Sequence, residues 1–488
     1  MLFEPLFEQA RRQPAELAII DDRGRYTYEQ LAGMAAGLGS QFATLTPNPR
    51  LGLLLPAGAG FVASFYGALS AGKTVVPLNY LLGDREIAHC VADSGIDTVV
   101  TAPPLAGRVA GTSLKVVDLT QIMQGPAGIA AGGPVPSPSA DDVAVLMYTS
   151  GTSGLPKGVL LSFGNLQSDV DAAIAHVQFE SRHKFLGIIP LFHAFGMTAM
   201  MLAPIQLGSS IVYLGRFSPV GTLKAIREHG ISLMGGMPSM FGAMLRLKEA
   251  SADDFKTIYA LICGAEPLPS ALREAFHARF GIELLEAYGM TETSLAIAAN
   301  TPQKHKPGSV GTAIPGIEIS IVDEAGNPVP AGQEGEIWVR GPMVMKGYNN
   351  LPEETAAALT ANGYFKTGDL GRIDSEAFLF ITGRKKDLII VAGEKAAPRE
   401  IEETLMAHPA VAEAAVVGRK DATRGEVVVA FVIPRPGEAP KPEELREFCR
   451  QKGLSQWKVP REIRVVEDFP RSPTGKVLKR ELALQAAT

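Results

Sequence analysis

Cysteine is scarce in this chain of 488 residues: Cys90, Cys263 and Cys449 are all there are. They stand far apart and form no CxxC, which excludes a disulfide framework and a cysteine zinc site. The eight histidines include no HExxH and no closely spaced ligand pair, so no metalloprotease-type site is read. An excess of one charge is also missing. Lys plus Arg is 46 against 51 for Asp plus Glu, a net charge of −5, which argues against a protein built to grip a nucleic-acid backbone. No basic leader followed by an apolar run opens the sequence MLFEPLFEQARRQP, so no secretory signal is read and the cytoplasm is the expected location. Long uncharged runs are few. Residues 185–215 hold no Lys, Arg, Asp or Glu, long enough to consider a membrane span. Pro190, Pro204, several glycines, Gln206, Ser209 and Ser210 interrupt that run. The expectation is therefore a strand ending near Pro190, a buried helix over 197–207 and a strand at 210–214, with no transmembrane segment and at most a peripheral membrane contact.

What the chain does have is a core. Hydrophobic residues are 46% and charged ones 20%, a globular balance, and the length allows about three folding units. Strands alternate with helices. Thr27 and Gln30 form a capping box before a helix over 28–42. Strands at 51–55, 74–78, 143–148 and 261–264 are apolar runs, with a helix over 61–71, a pattern that predicts parallel sheets flanked by helices. Residues 125–140, rich in Gly, Pro, Ser and Ala, read as a surface connection. After about residue 310 short strands at 317–322, 335–340 and 378–382 predict a small antiparallel, β-barrel-like unit. Beyond Arg384 lies an α+β piece: helix 398–407, strands 411–417 and 426–433, helix 441–452, a strand at 462–466 and a helix at 477–484. The expected fold is α/β, a large domain (1–385) of two sheet-and-helix subdomains plus the small β unit, followed by a small mobile α+β domain (386–488).

Two motifs are read as decoys. Gly67-Ala-Leu-Ser-Ala-Gly72-Lys73-Thr74 matches the Walker A letters, but a helix precedes it and a strand follows, the reverse of what a phosphate cradle needs. Gly72 then reads as a helix C-terminus. Gly58-Ala-Gly60-Phe-Val-Ala63 matches a dinucleotide fingerprint, yet no acid is placed to hold a ribose. A third segment differs. A buried strand runs into Thr149, Ser150, Gly151, Thr152, Ser153 and Gly154, ending at Lys157. Glycines let the backbone approach an anion, hydroxyls add rotatable donors and the lysine adds charge, so this segment is expected to bind phosphate.

With this segment the chain resembles the adenylate-forming enzymes: acyl-CoA synthetases, luciferases and peptide-synthetase adenylation domains. Further landmarks follow in order. They are Tyr288-Gly-Met-Thr-Glu292, Tyr364-Phe-Lys-Thr-Gly-Asp369-Leu-Gly371, Gly383-Arg-Lys-Lys-Asp387, Gly393-Glu-Lys, Pro398-Arg-Glu-Ile-Glu402 and Pro473-Thr-Gly-Lys476. The resemblance spans about residues 5–485, with Ser153 where the family more often has threonine. It implies ATP, Mg²⁺ and coenzyme A as cofactors and co-substrates. An acid attacks the α-phosphate, pyrophosphate leaves, and a thiol then displaces AMP. An anion must attack a polyanion, so positive charge and oriented donors are required.

The resemblance also implies roles. Thr149–Lys157 would cradle the β- and γ-phosphates; Thr291 would touch the α-phosphate and Glu292 would hold Mg²⁺. Tyr288 would face adenine, with Gly264, Ala265, Glu266 and Pro267 bordering the ring's other side. Asp369 would hold the ribose hydroxyls with help from Arg384. Lys476 becomes the catalytic lysine, Lys386 the hinge and Gly393 the glycine lining the pantetheine tunnel. His193, Phe195, Met237 and Gly289 would border the acyl group. A buried, hydrogen-bonded histidine without chemistry is an equal reading of His193. Met197, Met200, Met201, Met234, Met237, Met240 and Met244 suit either a flexible apolar ligand or a Met-rich core. Ala194-Phe-Gly-Met lacks the aspartate that peptide-synthetase domains place there, which disfavours an amino acid. The expected reaction is thus ligation of a medium- or long-chain fatty acid to coenzyme A by a monomer or homodimer. Alternatives are an aryl or other organic acid, or transfer to a carrier-protein pantetheine. A Rossmann-type oxidoreductase and a non-catalytic nucleotide-binding scaffold are weaker readings from other classes.

Overall fold

The computed structural model describes residues 1–124, 138–149, 155–471 and 477–487. Most of the expected surface connection, together with Ser150, Gly151, Thr152, Ser153, Gly154 and Lys476, lies outside the described residues.

Two large sheets form the body. In the first, six parallel strands run Leu284–Gly289, Ala260–Cys263, Leu233–Gly236, Lys184–Gly187, Ser210–Tyr213 and Leu17–Asp21, with antiparallel strands at both edges. In the second, Val143–Thr149, Thr74–Pro77, Arg50–Leu54, Thr98–Thr101 and Lys115–Asp118 are parallel, and Lys157–Ser162 folds back antiparallel on the first of these. Leu51–Leu54, Val75–Val76 and Val99–Val100 are buried throughout, as strands covered on both faces require. The small unit is a four-stranded antiparallel sheet ordered Glu318–Val322, Gly335–Arg340, Phe365–Ile373, Leu379–Arg384.

The large apolar core draws on residues 2–379. From Ile389 onward two separate smaller cores form around the long hairpin Val411–Asp421 and Gly425–Pro434. The helix Pro398–Met406 belongs to this second part. Contact between the two parts includes an ion pair of Lys395 with Glu324.

The capping box of Thr27 and Gln30 is present and starts a helix that runs Tyr28–Leu45. The uncharged stretch folds as strand, helix, strand, and it is packed inside the body. Its helix runs three residues longer at the start than expected, beginning at Ala194, and carries Pro204 within it. Pro204 has no N–H to give Met200 O. The helix loosens into a π turn over Thr198–Leu202, and Tyr213 Oη donates to Met200 O instead, at 2.8 Å. Among the described residues no helix is long and apolar enough to cross a membrane.

Both decoys have structural explanations. Gly67 lies where the helices Tyr28–Leu45 and Ala59–Ser70 touch; a Cβ there would come within 2.7 Å of Ala35 O. Gly72 follows the helix end with φ +75°. Lys73 turns inward, its ammonium donating to Thr46 O at 2.7 Å and Asn48 O at 2.8 Å. At the dinucleotide-like turn, Asp21 Oδ2 already accepts from Ala59 N at 2.9 Å, so a carboxylate holds the helix N-terminus that a pyrophosphate would need.

Candidate active site

The described residues that flank the phosphate-loop candidate belong to an antiparallel strand pair. Val143–Thr149 pairs with Lys157–Ser162, the last register being Thr149 opposite Lys157. Gly158 is required behind it, since a Cβ there would press on Leu146 Cδ1 at 2.7 Å and on Asn349 and Tyr148 at 3.2 Å. Lys157 is half-exposed, forms an ion pair with Glu354 and lies 5.3 Å over the ring of Tyr348. Tyr348 Oη in turn donates to Glu292 Oε1 at 3.0 Å. The chain Lys157–Tyr348–Glu292 therefore joins two of the candidate residues through one that the sequence did not single out.

Thr291 and Glu292 sit in a single 3-10 turn after the strand Leu284–Gly289. Three contacts fix that turn. Met345 N donates to Glu292 O at 2.8 Å, Ser294 Oγ donates to Met343 O at 2.9 Å, and Ala296 N donates to Asp169 Oδ1 at 3.0 Å. Gly289 is required by this packing: a Cβ would lie 1.6 Å from Leu295 O. Burial pushes the Glu292 carboxyl above its ordinary value, and Asp369 pushes the same way; its backbone contact, Tyr348 and Lys157 oppose. Among the described residues no cluster of three or more His, Cys, Asp or Glu could hold a metal unaided. A single half-buried, acceptor-only carboxylate does fit magnesium, which keeps waters and takes its other oxygens from substrate phosphates.

The second cluster is Tyr288, Asp369 and Arg384. Asp369 and Arg384 are opposite one another across antiparallel strands. Gly368, at φ +72°, sits at an irregularity of the strand Phe365–Ile373 just before Asp369, and Asp369 N is held by Thr367 Oγ1 at 3.0 Å. Tyr288 Oη donates to Asp369 Oδ2 at 2.7 Å, and Arg384 Nε lies 3.2 Å from Oδ1. Burial, then the charge of Asp369, drives the Tyr288 phenol far above its ordinary value, so it remains a donor. The nearby Lys386 is exposed at its surface, and desolvation followed by the like charge of Arg384 lowers its ammonium.

Phe195 is buried with its ring against two glycines. A Cβ at Gly235 would meet it at 2.7 Å and one at Gly264 at 3.6 Å. Gly264 N donates to Gly236 O at 3.1 Å, and Ala265 follows in a left-handed conformation at φ +69°. Ala265 and Pro267 are exposed and Glu266 is half-buried. His193 is exposed, which removes the reading of a buried structural histidine. Six of the seven methionines, all but Met237, are core residues, so the Met-rich-core reading holds for them. Gly393 lies in an exposed turn at φ +88° with nothing near its missing Cβ; none of the contacts above draws it to the two clusters.

Tyr348, Glu354 and Asp169 were not legible as site residues. Each reaches its partner across a gap of 56 to 197 positions, which no local spacing encodes.

Comparison with known proteins adds the family. Residues 6–349 match the AMP-binding enzyme family, and residues 400–476 match the AMP-binding enzyme C-terminal domain. A long-chain-fatty-acid–CoA ligase of Bacillus subtilis (strain 168) is 34% identical, covering 98% of this chain and 93% of the relative. A feruloyl-CoA synthase of Amycolatopsis sp is 32% identical, covering 97% and 96%. The structure of o-succinylbenzoate coenzyme A synthetase from Bacillus subtilis, in complex with ATP and magnesium ion, superposes with a TM-score of 0.87 at 29% identity, covering 98% of each chain.

Proposed function

The chain belongs to the AMP-binding enzyme family, as an AMP-forming acyl-CoA synthetase of the adenylate-forming superfamily, and on that premise we propose how its residues divide the work. The observation that carries the reading is a pair of clusters, Lys157–Tyr348–Glu292 and Tyr288–Asp369–Arg384, with the Asp369 charge felt by Glu292. The first suits the phosphates of ATP. Lys157 supplies charge, and Glu292 would hold Mg²⁺, which when bound offsets phosphate charge. The second suits the nucleoside. Asp369 offers two acceptor oxygens to the ribose hydroxyls, and Arg384 and Tyr288 hold that carboxylate in place. The thiol acceptor is coenzyme A, in keeping with the CoA ligases it is similar to.

In sequence Lys476 lies between Phe469 and Leu482, two members of one of the smaller apolar cores, on the part of the chain beyond Lys386. The boundary near residue 385 is supported by the separation of those cores from the large one. A small domain pivoting at Lys386 would bring Lys476 to the carboxylate and α-phosphate, and then expose Gly393 to the incoming thiol arm. Lys476→Ala should therefore abolish pyrophosphate release from ATP and acid yet still convert supplied acyl-AMP to thioester. An equal loss of both half-reactions overturns this division.

For the acid, a medium- or long-chain fatty acid is supported by the apolar side chains of Phe195 and Met237 and by the likeness to the Bacillus subtilis ligase. An aryl acid is the second reading. It is favoured by the flat Phe195 ring packed on Gly235 and Gly264 and by the likeness to the feruloyl-CoA synthase. Pyrophosphate release across a panel of fatty and aryl acids separates the two.

A further inference from the structure

The helix Asp84–Ser94 carries none of the candidate site residues, yet it touches both sides of the phosphate hairpin. Its apolar face is made by Ile87, Cys90 and Val91 and is buried. His89 and Asp93, four residues apart, share a neighbouring face and are half-buried. Asp93 is a hub. Tyr148 Oη donates to its Oδ2 at 2.6 Å, Asn349 Nδ2 donates to the same oxygen at 3.0 Å, and Asn350 Nδ2 donates to Oδ1 at 3.1 Å. Asn349 and Asn350 also donate to the backbone oxygen of Asp93, at 2.9 and 3.0 Å. Burial first, and then Asp93, keep the Tyr148 phenol protonated as the donor. His89 Nε2 lies 3.0 Å from Pro156 O, on the returning side of the hairpin.

These partners are neighbours of the site. Tyr148 precedes Thr149, Pro156 precedes Lys157, and Asn349 follows Tyr348. Asn349 is itself buried; its N donates to Gly158 O at 2.7 Å and its side-chain oxygen accepts from Arg50 at 3.0 Å. One acid here thus ties its own helix to two segments distant in sequence.

We propose that Asp93, assisted by His89, is a positioning residue for the phosphates of ATP: it holds the start of the Thr149–Lys157 segment and the Tyr348–Asn350 segment in the register that aims Lys157 and Glu292. The inference rests on the functional reading above and extends it to a helix outside the family's motifs. It makes a selective demand. AMP lacks the β- and γ-phosphates, so its affinity should not depend on Asp93, whereas that of Mg·ATP should.

The test is calorimetric titration of the full-length protein with Mg·ATP and, separately, with AMP, no acid being present. Asp93→Ala should weaken Mg·ATP roughly tenfold and leave AMP within about twofold. Asp93→Asn keeps the volume but turns an NH₂ toward one of the asparagine donors, so a smaller selective loss is expected. Asn349→Ala, which leaves Asp93 in place, should reproduce the selectivity and serves if Asp93→Ala does not fold. Unchanged Mg·ATP affinity, or equal weakening of both nucleotides, overturns the proposal. Wild-type protein that binds neither nucleotide overturns the functional reading, and this inference with it.

Discussion

Lys73 and Lys157 each end a glycine-rich segment, and by letters alone Lys73 has the better phosphate-binding motif. The structure reverses that ranking. Lys73 is 8% exposed and caps two backbone carbonyls, with burial lowering its ammonium and Asp97 opposing. Lys157 is half-exposed beside Glu354 and Tyr348. The difference lies in what surrounds the letters. A strand leads into Lys157 and leaves it half-exposed, whereas a helix leads into Lys73, which turns inward onto carbonyls that follow the neighbouring helix Tyr28–Leu45.

The comparison can be sharpened by substitution. On the site side, Glu292→Gln should have the largest effect, lowering acyl-adenylate formation by roughly 10²–10³-fold without a matching loss of thermal stability. Stopped-flow pyrophosphate release and a melting curve measure the two. Lys157→Ala should raise KM for Mg·ATP about tenfold with little change in Tm. Lys73→Met should do the opposite. It leaves buried carbonyls without a donor, costing about 1–3 kcal/mol of stability, while KM for Mg·ATP stays at the wild-type value. The distinction breaks if Lys73→Met harms ATP use more than Lys157→Ala does.

The smallest effect concerns Asp169, a buried carboxyl in support of the site. Its Oδ1 accepts from Ala296 N, Oδ2 has no partner, and burial raises its pKa to about 8. The native protein therefore keeps a proton that the unfolded chain loses above about pH 4. Stability contributed by that proton is complete below about pH 4 and is lost as pH rises toward 8. Asp169→Asn should flatten this slope, gaining on wild type between pH 5 and pH 8 in urea unfolding. Parallel pH curves for the two proteins would remove Asp169 from the account.

Much of the architecture was readable in advance, because it rests on local signals. The apolar strands, the Thr27–Gln30 capping box and the helix-to-strand order around Lys73 are set by neighbours in sequence. The Phe365–Ile373 strand was not readable: Lys366, Thr367, Gly368 and Asp369 spoil its alternation. The helix through Pro204 was readable, but the π turn and the tyrosine hydroxyl that accommodate the proline were not. Within the site, Asp369, Arg384 and Glu292 came from ordered motifs. Tyr348 and Asp93 came only from the fold: Asp93 meets Asn349 across 256 positions, and nothing near either residue announces the other.

The central claim is that this chain activates an organic acid as its adenylate and passes it to coenzyme A. The direct measurement is AMP and acyl-CoA formation from Mg·ATP with a panel of fatty and aryl acids, with and without coenzyme A. The account predicts at least one acid that yields AMP and acyl-CoA in equal amounts, with sustained turnover only when coenzyme A is present. AMP from none of the acids contradicts it.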